Sequence, residues 1–141
     1  MPSTSKKRIY TLIAVFILLA NHCIAQLYRF TASQFICTKY QNQVVDPPEI
    51  KNLKNMPVEF DMDSSVLYIH SPSLQVYHLI GKPIEAFEQD SVATYTFWAS
   101  DFKQVKCKIS QKIYESEKAP HYAAFIIEYP DKTYLYYVER I

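Results

Sequence analysis

The chain has 141 residues, 15 Lys and Arg against 14 Asp and Glu, and a single glycine, Gly81. A formal charge of +1 gives no broad electrostatic attraction to nucleic acid. One glycine excludes a glycine-rich phosphate loop, and no glycine-flanked serine marks a nucleophile elbow.

Lys6, Lys7 and Arg8 precede an apolar run from Ile9 to Ala20 that only Thr11 interrupts, and Cys23-Ile24-Ala25 leads to Gln26. This is the pattern of a secretory signal cut after Ala25. The run is shorter than the roughly 20 residues that span a bilayer, so no permanent membrane span is expected. A lipid anchor at Cys23 is not expected either, because bulky His22 stands where a small residue is required. The expected organisation is a signal over residues 1–25 and one exported domain, periplasmic or extracellular, over residues 26–141. Removing 25 of 141 residues leaves 116, enough for one domain with its own core. The signal carries three of the 15 basic residues and no acids, so the mature charge is 12 minus 14, or −2. Cys37 and Cys107 remain, far apart in sequence. An exported pair reads either as one disulfide closing a long loop or as two buried thiols packed as small hydrophobes.

Tyr, Thr, Val, Ile and Phe are plentiful after residue 26, which suits a pleated, half-buried surface. Tyr28 to Tyr40 reads as a strand, and Gln41 to Asn55, with its Asp46-Pro47-Pro48, as a loop. From Pro57 the chain alternates: Val58, Phe60 and Met62 take one face, and Glu59, Asp61 and Asp63 the other. Strands are expected over Val66 to Ser71 and Leu74 to Ile80; Lys82 to Asp90 fits either a short helical turn or a loop. Val92 to Ser100, Gln104 to Tyr114, Tyr122 to Tyr129 and Thr133 to Arg140 complete the series, the last two joined by a Pro130-Asp131 turn. About eight strands with short connections imply an all-β antiparallel meander, closed like a lipocalin barrel or folded as a sandwich. The alternative is an α+β fold with one short helix in 41–55 or 82–90.

Glu59, Asp61 and Asp63 form a row rather than the wrapping loop that calcium requires. His70 and His78 flank the Pro72 turn without a third ligand, so no metal or cofactor is assigned. Cys107 with His121 reads as core packing rather than as a thiol–imidazole pair, and no catalytic residue is assigned. Lys103, Lys106, Lys108 and Lys112 make a basic stripe of the kind a solvated strand face presents. Aromatic content is the most informative feature, because Tyr and Trp join an apolar body to a polar tip suited to ligands and rims. Trp98, Tyr136, Tyr68 and Tyr95 are the candidate ligand-binding residues.

The run Val58 to Ser71, followed by Gln75-Val76-Tyr77-His78-Leu79-Ile80, and the ending Tyr122 to Val138 resemble small, signal-bearing β-domains exported by Bacteroidetes-type bacteria. The resemblance covers about the last 85 residues and is one of pattern rather than chemical signature. It implies export and a compact β-rich fold; that family has no assigned activity, so no functional residue carries over. The expected function is non-enzymatic binding of a small ligand or glycan through an aromatic-lined surface or cavity. An interaction or inhibitor module acting on another exported protein is the alternative, and a small hydrolase the next.

Overall fold

Alternating apolar and polar side chains, dense in aromatic and β-branched residues, dictate strands throughout the residues described by the computed structural model, 27–141. The signal expected over residues 1–25 lies outside them. The elements are β1 (Leu27–Gln41), β2 (Val44–Val45), β3 (Glu49–Asp61), β4 (Val66–Ile69), β5 (Gln75–Gln89), β6 (Val92–Ser100), β7 (Lys106–Tyr114), β8 (Ala123–Glu128) and β9 (Lys132–Arg140). The α+β alternative is corrected: the described residues contain no helix. Residues 44–45 and 49–55 belong to β2 and β3, and 82–89 to β5, because 44–45, 49–52 and 85–89 find ladder partners that satisfy their backbone groups, with 53–55 and 82–84 bulging between paired stretches.

All pairings are antiparallel, in the order β2-β1-β3-β4-β5-β6-β7-β8-β9, and β9 returns to pair with β1. Eight strands therefore form a hydrogen-bonded ring, with β2 a short hairpin arm on the far end of β1. Turns are made almost without glycine. Asn42-Gln43 and Asp90-Ser91 link their hairpins as two-residue turns with φ of 49° and 66°, and 52° and 62°. Positive φ at both central positions matches the right-handed twist of the strands, and Asn and Asp tolerate it better than most side chains.

The inward side chains fill the middle of the ring. Phe125, Leu67, Ile69, Ile109, Ile127, Val58 and Val138 are almost wholly buried, and Phe30, Phe60, Tyr77 and Tyr136 join them. Burial of each large aliphatic or aromatic side chain is worth roughly 1.5–3 kcal/mol. Phe30 packs edge-on against Phe125 at 5.7 Å, and Phe35 lies 4.8 Å from Tyr136. A cavity opens at each end of this filled centre. The near end is where β1 begins; the far end is where it finishes.

Candidate functional site

Two irregularities shape the ring. On β1, Ala32 faces Val138 and Gln34 faces Tyr137, so Ser33 is an extra residue against β9; against β3, where Ala32 faces Met56 and Gln34 faces Asn52, the surplus lies on β3, with Leu53, Lys54 and Asn55 opposite Ser33. That bulge keeps Phe30 and Ala32 before it, and Cys37 after it, on the buried side. On β5, Ile80 faces Trp98 and Glu85 faces Thr96, so Gly81 to Ile84 loop out opposite Phe97. Gly81 sits at φ +70°, the left-handed conformation for which glycine is best suited.

The β5 bulge opens the near end. There a cavity of about 700 Å³ is floored by Phe30, Phe60, Leu79 and Phe97, all side chains of the core or packed on it. Tyr28, Met62, Pro83 and Tyr95 stand around its mouth, with Ile113 and Tyr122 on the wall. Tyr28 is 48% exposed and Met62 49%, so apolar surface reaches water here. Polar side chains are few: Ser65, Gln111 and, on the bulge, Lys82.

The far end has the opposite character. Its cavity of about 610 Å³ is lined by Tyr77, Tyr129, Tyr134 and Tyr136 together with Gln75, Asp101, Lys103 and Lys132. The Gln75 amide donates to Tyr136 Oη and Ser71 Oγ at 3.1 Å each, and Tyr77 Oη donates to Gln75 Oε1 at 2.6 Å. Tyr129 Oη donates to Asp101 Oδ2 at 2.8 Å; Asp101 Oδ1 accepts from the Lys103 and Val105 amides at 2.9 Å each. Burial alone would raise the Asp101 pKa, but the donors at Val105, Tyr129 and Lys103 outweigh it and hold the carboxyl below its ordinary value. Burial pushes Tyr136 up to about 12, and moves Tyr77 and Tyr129 upward as well. These hydroxyls therefore stay protonated; Tyr77 and Tyr129 serve as neutral donors, and Tyr136 accepts from Gln75.

The four aromatic residues expected to bind ligand do not converge. Tyr95 lines the near cavity and Tyr136 the far one. Trp98 lies beside a shallow outer pocket, its ring covered by the Lys106 and Lys108 ammonium groups at 4.3 and 5.2 Å. Tyr68, on β4, stacks on His70 at 6.4 Å. His70 in turn pairs with Glu59 at 3.0 Å, while Asp61 Oδ1 accepts from the Asp63 and Ser64 amides of the turn. Among the described residues no cluster of three or more His, Cys, Asp or Glu forms a metal site. Cys37 and Cys107 are both buried free thiols, and burial first, then the nearby Asp101 charge, pushes Cys107 up to about 11. His121 bonds to Glu139 and stacks on Tyr137, engaged away from Cys107.

Sequence reading missed most of the near site, including Phe60, Met62, Leu79 and Phe97. Their alternation marked them as apolar and nothing in it distinguished floor from mouth. The one local signal was Gly81-Lys82-Pro83, a break in an otherwise strand-like run. No protein-family model, curated protein sequence or solved structure matches the chain.

Proposed function

We propose that this is a non-enzymatic, exported binding protein that takes a small, largely apolar ligand into the near end of the strand ring. One observation carries the reading: a cavity of about 700 Å³ whose floor is the protein's own hydrophobic core. Volumes of about 300–1,000 Å³, lined mainly by apolar and aromatic side chains with a few polar groups, are typical of small-molecule sites. Tyr95, which lines this cavity, supplies an amphipathic ring at the mouth. The far cavity supports the reading less well, because Asp101, Gln75 and the tyrosines there already satisfy one another.

The test is binding of the neutral fluorophore N-phenyl-1-naphthylamine to the purified protein. Saturable fluorescence enhancement with micromolar affinity is expected. Gln111→Trp, which fills the cavity from its wall, weakens that affinity at least about tenfold. Equal enhancement by wild type and Gln111→Trp sinks this location for the site.

A further inference from the structure

The β5 bulge places one cation among the residues that line the near cavity; the other cation at this end, Arg140, lies against the Tyr122 ring at 4.1 Å and donates to its hydroxyl at 2.9 Å. Ile80 faces Trp98 and Glu85 faces Thr96, so Gly81, Lys82, Pro83 and Ile84 all stand opposite Phe97 alone. Pro83 has no N–H to offer a ladder, and Gly81 at φ +70° lets the backbone turn outward. Lys82, thus looped out, is the only residue with a formal charge among those lining the cavity. Among the described residues it makes no ion pair with a carboxylate.

The acids nearby are placed differently. Glu85 pairs with Thr96, which lies between Tyr95 and Phe97 on β6 and so faces away from the cavity. Asp63 belongs to the turn between β3 and β4, where its amide bonds to Asp61. Glu88 and Glu115 meet one another farther out, beyond Ile113.

We propose that the ligand is a free single-chain amphiphile with an anionic head, its alkyl chain in the cavity and its head on Lys82. The proposal rests on the reading of the near cavity as the binding site. The physical reason is one of depth. Phe30, Phe60, Leu79 and Phe97 offer no partner to a charge, and stranding a carboxylate among them is costly. The alkyl end therefore goes inward, and the head stays at the rim, where Lys82 supplies three donors and a positive charge.

The experiment is calorimetric titration of the protein with laurate, dodecanol and dodecylamine, each as monomer, and with phosphatidylglycerol vesicles. Laurate is expected to bind about fivefold tighter than dodecanol, near the upper end for an exposed ion pair, and dodecylamine weakest. Added salt narrows the gap. Lys82→Gln brings laurate down to the dodecanol value and leaves dodecanol unchanged, whereas Lys82→Arg keeps the preference. Equal binding of laurate and dodecanol to wild type overturns the proposal, as does a laurate preference that survives in Lys82→Gln. A preference for dodecylamine overturns it too, and would point to Glu88 and Glu115. So does binding to vesicles without binding to monomeric laurate. If none of the three monomers binds, the site reading itself fails along with the head-group assignment.

Discussion

Asp101 organises the far end of the ring from a single carboxylate. Oδ1 closes the β6–β7 turn by accepting from the Lys103 and Val105 amides, and Oδ2 accepts from Tyr129 on the β8–β9 side. The tight turn also holds Gln104 at φ 63°, a conformation the capped loop must maintain without glycine. Asp101→Ala should destabilise the fold by about 1–2 kcal/mol, read as a lower urea midpoint, because three part-buried donors lose a charged acceptor. The folded pKa of Asp101 lies below its ordinary value. Its contribution is therefore full above the unfolded pKa of about 3.9 and is lost as pH falls through the folded value. Urea midpoints measured from pH 6 to pH 2 should converge for wild type and Asp101→Asn at the acid end. A gap that stays constant over that range would refute the assignment.

At the scale of the element, bulges decide which face of a strand a side chain takes. β1 is the clearest case: Phe30 and Ala32 are buried, and after Ser33 the buried face passes to odd positions, with Cys37 inside. Without the extra residue, a period of two would send Cys37 outward. The Ser33 hydroxyl helps hold the bulge by sharing its one proton between Glu139 Oε1 at 3.2 Å and the Tyr137 carbonyl at 3.4 Å. β5 uses a larger bulge to open the near cavity, and Gly81 is its pivot. A Cβ added at Gly81 meets nothing within 4 Å, so Gly81→Ala tests backbone strain in isolation from packing. The expected cost is about 1 kcal/mol by chemical denaturation, with Gly81→Asn milder. A neutral Gly81→Ala would mean that the bulge relaxes to negative φ, and ligand affinity should then change with it.

For the whole molecule, closure of β9 onto β1 ties the last strand to the first over Phe30–Lys39 and buries a tyrosine cluster inside the far end. Tyr136 is pushed up to about 12 by burial, and Tyr77 and Tyr129 also lie above their ordinary value. A folded pKa above the unfolded one contributes stability that is full below about pH 10 and is lost as pH rises through the folded value. The protein should hold constant stability to about pH 9 and lose it steeply between about pH 10 and pH 12. Phenolate absorbance and far-ultraviolet dichroism should change together there, since these tyrosines ionise as the ring opens. Tyr136→Phe should flatten the alkaline slope and cost about 1 kcal/mol at neutral pH through the lost Gln75 hydrogen bond. Phenolate formation that runs to completion before any loss of dichroism would contradict this account.

Local pattern determined the strands, because the facing of side chains along an extended chain depends only on near neighbours. Val92 to Ser100 was legible to the residue, and the buried positions Val58, Phe60, Cys107 and Ile109 followed from alternation. Tertiary structure decided the rest. Residues 49–55 read as a loop, yet they extend β3, because β1 offers the backbone of 49–52 a ladder that local sequence cannot reveal. Tyr95, Trp98, Tyr136 and Tyr68 share a chemistry but not a place: tyrosine content is local, and the cavity each ring meets depends on bulges and on closure of β9 upon β1. Lys82 was one charge among many in the sequence; only the looping out of β5 opposite Phe97 made it the one charge among the residues that line the near cavity.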